Sequence, residues 1–179
     1  MSCRKRCQSR VLHGNILIVD LGCNGAMFVG RVGSYGPEIV SLPTRWKHRN
    51  RRGWDKHHEE VEDQYRLRLR THKPRFVAFE KPESVMGRKH VGISQAYFVG
   101  RFTLIAENAP TKPRIVQVPG QHGDARVKAW GILRPSLFEI APRELVREFG
   151  QYDEGEPGEH VVDACAIFLA AIPRAVALQ

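Results

Sequence analysis

The sequence predicts an α/β fold built as one domain, and three observations carry that reading. Residues 15–20, Asn-Ile-Leu-Ile-Val-Asp, run without a polar break until Asp20, as a strand buried on both faces would. Further along, short apolar runs at 75–80 and 113–118 alternate with segments of helical spacing at 55–72 and 91–107. The final segment, from residue 159 to Ile172, is apolar nearly all round, which suits a helix buried against a sheet. A chain of 179 residues, 42% of them hydrophobic, is long enough for a sizeable core.

Residues 1–14 carry Arg and Lys but no acid, and read as a basic N-terminal arm ahead of a single domain at 15–179. A flexible end, an arm touching DNA and an organelle-targeting segment all fit that composition. Cys3, Cys7, Cys23 and Cys165 lack the spacing of a disulfide framework or a zinc site, so reduced thiols are expected. No uninterrupted apolar stretch is expected to span a bilayer, and no apolar signal region follows the start. A soluble, cytoplasmic protein is the expectation. The net charge of +9 points to a polyanionic partner, with nucleic acid ahead of an anionic membrane.

Gly22 and Gly25 allow a tight reversal from the first strand into a second at 26–32. A third strand at 37–42 completes an antiparallel meander. The segment holding Arg45, Trp46, Lys47, Arg49, Arg51, Arg52 and Trp54 crowds like charges together, which predicts an exposed loop. Basic side chains among aromatic rings suit phosphate contact with base stacking. A solvated loop whose Trp packs on the body fits equally well.

Residues 55–72 place Val61, Tyr65 and Leu69 on one helical stripe, with charges elsewhere, as on a surface helix. The strand at 75–80 closes on Glu80 and is stopped by Pro82. Arg88, Lys89 and His90 end a loop that either touches phosphate or is simply solvated. Within the helix at 91–107, Gly92 and Gly100 cost propensity that close packing on another backbone would offset. After the strand at 113–118, a polar loop at 121–128 enters a short helix. Another helix covers 142–149, with Pro142 near its first turn.

Asp20, Glu80 and Asp163 share one oddity, since each interrupts a segment that is otherwise core-like. A lone buried carboxylate neutralises, whereas several can stay ionised around a divalent cation. Oxygen ligands favour Mg²⁺ or Mn²⁺, and in a basic chain that combination points to hydrolysis of a phosphodiester. Individually, Asp20 could open a turn, Glu80 could pair with Lys81, and Asp163 could cap a helix that begins after it. His160 stands one helical turn before Asp163 on the same face, where a hydrogen-bonded core histidine is the plain alternative.

The order of a hairpin with Asp20-Leu-Gly22, a strand ending in Glu80, and a late helix with His160-Val-Val-Asp163-Ala resembles the RuvC-type Holliday-junction resolvases, within the RNase H-like nuclease fold. The resemblance runs from about Asn15 to Ala171. It implies a five-stranded mixed sheet, three antiparallel strands then two parallel, flanked by helices and with a metal site at the strand ends. It further implies catalytic and metal-binding roles for Asp20, Glu80, Asp163 and His160. Lys128 falls at the family's basic position after the fifth strand, where it would offset phosphate charge. Two Mg²⁺ ions per site, replaceable by Mn²⁺, and a homodimer cutting opposed strands of a four-way junction to leave 5′-phosphate ends are also implied. DNA contacts would come from Arg45, Trp46, Lys47, Arg49, Arg51, Arg52, Arg88, Lys89 and His90.

The chain departs from the family in Leu-Gly-Cys-Asn-Gly after Asp20, in the sequence around Lys128 and in the basic segment at 45–54. These departures mark a divergent member, of a kind that a virus could encode. A flap or hybrid nuclease would share these residues, whereas Asp20, Glu80 and Asp163 argue against a DNA-binding relative without catalysis, since a pure binder gains nothing from buried acids. An actin-like ATPase would need a second domain and a second Gly-rich phosphate loop, for which this chain is too short, and it has no Walker A pattern.

Overall fold

In a computed structural model of the protein, residues 12–21, 24–47, 54–82, 89–120, 123–150 and 159–179 are described. Their elements, in order, are β1 (Ile16–Asp20), β2 (Asn24–Gly33), β3 (Gly36–Ile39), β4 (Thr44–Lys47), α1 (Trp54–His72), β5 (Phe76–Glu80), α2 (Lys89–Glu107), β6 (Arg114–Val118), α3 (Asp124–Leu137), α4 (Arg143–Phe149) and α5 (Glu159–Ala177).

The five-stranded path of the sheet runs β3-β2-β1-β5-β6, with β4 added onto β2. β2 and β3 are antiparallel continuations of β1, while β5 pairs parallel with β1 and β6 parallel with β5. This is the mixed sheet expected from the sequence, with one extra short strand. β1 is central, which explains why all five of its residues are buried.

Side chains along the strands alternate between two cores. Ile16, Ile18, Ala26, Phe28, Phe76, Ala78, Val116 and Val118 meet α3, α4 and α5 on one face. Leu17, Val19, Met27, Val29, Val77 and Phe79 meet the Val61, Tyr65 and Leu69 stripe of α1, together with Phe98 and Phe102 of α2, on the other. Tyr65 donates its hydroxyl to the Phe102 carbonyl at 3.2 Å, closing α1 onto α2. The result is three layers, with α5 laid across β1, β2, β5 and β6.

Close approach of α5 to β2 depends on Gly30. A β-carbon there would stand 2.7 Å from two ring carbons of Phe168. Gly25 is equally constrained, because a β-carbon would lie 2.3 Å from the Asp20 carbonyl and 2.4 Å from the Trp46 ring. The room beside Asp20 is therefore taken by a tryptophan.

That contact corrects the exposed loop expected at 45–54. Thr44–Lys47 is the strand β4, paired with Asn24–Met27, and Trp46 is buried rather than offered to a base. Charge repulsion argued for a loop, but the pairing edge of β2 and the pocket over Gly25 outweigh it. α1 begins at Trp54, and residues 48–53 lie outside the described residues. Arg68, buried in α1, donates from Nη2 to Leu42 O (2.8 Å) and Thr44 Oγ1 (2.6 Å), which fixes the approach to β4.

Three further expectations change. A β-carbon added at Gly100 would meet nothing within 4 Å, so the close backbone packing expected there is absent. α3 runs for 14 residues, longer than the short helix expected. α5, at 19 residues, is long and apolar enough to cross a membrane by length and composition; its apolar residues are spent on the sheet. At the other end, Leu12 is buried in the α5-side core, so the folded body starts inside the segment expected as an arm. Cys165 is a buried free thiol, and burial pushes its pKa up, as expected of a packed, unreactive cysteine.

Candidate metal centre

Asp20 ends β1 on the face that carries Ile16 and Ile18, so its carboxylate points toward α5. It is 8% exposed, and an ionised group there requires a partner. His160, in the first turn of α5, supplies one: Nδ1 lies 2.8 Å from Asp20 Oδ2. The carboxylate can only accept, so Nδ1–H donates and the tautomer follows. Burial alone would lower the imidazole pKa, but the hydrogen bond and charge of Asp20, helped by Asp163 and Glu159, raise it.

Asp163 follows one turn later, inside α5 rather than capping it. One ligand atom each from Asp20, His160 and Asp163 lie within 4.8 Å of one another. Burial raises the Asp163 carboxyl to about 6, against the pull of Arg126, with the Asp20 charge adding to the rise. Two carboxylates and an imidazole, partly buried and converging from a strand end and a helix turn, are donors that suit a divalent cation.

Glu80 ends β5 one strand away. The parallel register Val19↔Phe79 sets Glu80 level with Asp20, and its neighbours Phe76 and Ala78 place it on the same face. It stands in the same row of the sheet, outside the group of three.

Lys128 is exposed on α3, and the basic side chain brought to the acids is Arg126. Arg126 Nε donates to Asp163 Oδ1, and Nη2 lies 3.5 Å from Glu159 Oε1. Helical phase explains the exchange. Arg126 continues the buried stripe of Ala129, Trp130, Leu133 and Leu137 toward α5, whereas Lys128 turns to the other side. Once α3 is known to start at Asp124, that stripe is the signal that singles out Arg126.

The expected DNA contacts scatter. Arg45 is ion-paired with Glu148 of α4 and lies 5.0 Å over the Phe149 ring, while Trp46 is buried. Arg49, Arg51, Arg52 and Arg88 lie outside the described residues, as do the side chains of Lys47, Lys89 and His90.

No protein-family model matches the sequence, and no curated protein resembles it in sequence. Solved structures do resemble it in fold. Thermus thermophilus RuvC in complex with a Holliday junction substrate superposes with a TM-score of 0.57 at 14% identity, covering 93% of this chain and 96% of that one. The yeast mitochondrial Holliday junction resolvase gives 0.57 at 10% identity, over 96% of this chain and 84% of that one. The Fowlpox virus resolvase, bound to Holliday junction DNA, gives 0.50 at 14% identity over 92% and 99%. The chain thus has, along nearly its whole length, the RNase H-like fold of the RuvC-type Holliday-junction resolvases.

Proposed function

We propose that this protein is a metal-dependent, structure-selective DNA endonuclease that resolves four-way junctions by hydrolysing phosphodiesters, leaving 5′-phosphate ends. The observation that carries the reading is the convergence of Asp20, His160 and Asp163 at the end of the central strand. It sits in a fold shared with proteins solved on junction DNA. The net charge of +9 suits a nucleic-acid substrate.

Asp20, Asp163 and His160, with Glu80 beside them, would hold Mg²⁺, with two ions per site and Mn²⁺ able to substitute. Divalent ions held there would supply charge stabilisation for the phosphate and an activated water as nucleophile. Asp20 orients the His160 ring through Nδ1, which leaves Nε2 either to coordinate an ion or, where no ion sits on it, to hold or give up a proton. Arg126 brings a fixed positive charge to the edge of the acids, where a phosphate would approach. Burial of this pocket strengthens each of those interactions.

The test is incubation with four-way, Y-shaped, linear duplex and RNA–DNA hybrid substrates, with Mg²⁺ and then with chelator. Paired, symmetric nicks in the four-way substrate alone are expected, abolished by chelation. Asp20→Asn should lose at least a hundredfold in cleavage while still binding the junction. A variant that cuts like the parent refutes the assigned site, and cutting of hybrid alone redirects the substrate.

A further inference from the structure

We infer that the far end of α3 and the outer face of α4 form a second nucleic-acid site, remote from the acid cluster, which takes a backbone phosphate together with an accessible base. Arg134, Phe138, Arg143 and Arg147 line a concave space of ≈380 Å³. Three guanidinium groups face one cavity, and no acidic side chain lines it among the described residues. Like charges gathered this way repel, and the arrangement is relieved by an anion between them. Guanidinium forks match phosphate oxygens in pairs, which favours a phosphate over a monovalent counter-ion.

The aromatic member narrows the ligand further. Phe138 is 40% exposed at the end of α3, and the Arg134 guanidinium lies 5.3 Å from its ring centroid. An exposed ring with a guanidinium held over it offers a platform on which unpaired bases settle. Phosphate clamp and stacking surface together select a strand of nucleic acid over free phosphate, which would leave Phe138 unused. Spacing along α3 fits the same substrate. Arg134 lies eight residues beyond Arg126, roughly 12 Å along the helix axis, so one DNA segment can reach both the acids and this pocket. The choice of DNA rests on the function proposed above.

The experiment measures affinity of the full-length parent and variants for a short single strand, the matching duplex and a four-way junction across a salt series, without divalent ions. Arg134→Gln combined with Arg147→Gln should reduce the slope of log affinity against log salt by about two. Arg147→Lys should keep its share of the slope, which a purely structural role would not require. Phe138→Ala should weaken the single strand about tenfold and the duplex less, and Phe138→Tyr should restore it. Inorganic phosphate should compete only weakly with the strand.

An unchanged salt slope in the double variant, with a melting temperature near that of the parent, overturns the proposal. So does loss of binding to an acidic peptide in these variants while DNA binding stays intact, which would make the face a protein-docking site. Pocket-dependent DNA binding by a protein that cuts no substrate supports the pocket and refutes the nuclease reading. Junction cutting with an unaltered slope does the reverse.

Discussion

Asp163 and Arg126 show how finely the candidate site is balanced. Arg126 holds one Asp163 oxygen and leans toward Glu159, so it acts as a resident cation among the acids. A divalent ion bound by Asp163 must share or displace that guanidinium. Arg126→Gln should therefore tighten Mg²⁺ binding several-fold in titration calorimetry, while cleavage falls because the phosphate loses its positive neighbour. Weaker Mg²⁺ binding in the variant would mean that Arg126 organises the site rather than competing in it. The titration of the same residues sets a second expectation. A carboxyl raised in the folded state lends stability that is complete below its ordinary 3.8 and lost as pH climbs through about 6. His160, raised above 6.5, works in the same direction, and its contribution disappears at still higher pH. The Asp163 contribution is worth at most roughly 3 kcal/mol, or about 6–12 °C for a chain of this size. Metal-free parent should thus lose melting temperature relative to Asp163→Asn as pH rises from 4 to 7, and parallel curves would contradict this. Both acids and the histidine were legible in the sequence because a polar residue in an apolar run stands out. Arg126 was not, since an arginine within a polar stretch has no such contrast.

At the scale of elements, the seat of α5 on the sheet decides where His160 and Asp163 end up. Gly30 and Phe168 set that seat: the ring of Phe168, itself against Phe28 at 6.0 Å between centroids, fills the space a β-carbon would need. Gly30→Ala should cost about 1–3 kcal/mol through overpacking and should lower activity by shifting α5 away from Asp20. Adding Phe168→Leu should recover part of the stability, measured as a coupling in a double-mutant cycle. Additive losses would show that Gly30 matters for some other reason. Here the limits of sequence reading are physical. Helix stripes such as Val61, Tyr65 and Leu69 announce themselves because period and burial agree. β4 does not, since four residues rich in charge carry no period, and the strand exists only because β2 offers an edge and Gly25 a pocket for Trp46. Gly100 misled for the opposite reason: a glycine in an apolar helix suggests close contact, yet this one faces open space.

For the molecule as a whole, the mixed sheet was legible through the family resemblance, which implied three antiparallel strands then two parallel, and the path β3-β2-β1-β5-β6 has that arrangement. What a single chain cannot supply is a second cutting site. Among the described residues, the acid cluster at Asp20, His160 and Asp163 is the one group able to hold a metal. If the protein resolves junctions as proposed, two opposed strands need two copies of it, as in the homodimer that the family resemblance implies. This is testable without knowing the interface. Parent and Asp20→Asn chains carrying different tags can be co-expressed and purified through both tags, giving dimers with one working site. On a plasmid bearing an extruded cruciform, parent dimers should yield linear product, since paired nicks across the junction sever both strands. Mixed dimers should yield nicked circles with little linear form, at a rate about half that of the parent's first cut. Linear product from mixed dimers at undiminished yield would mean that one site can turn over twice before release. Failure to recover any doubly tagged species, with the parent sedimenting as a monomer on junction DNA, would remove the dimer and leave two independent encounters as the route to resolution.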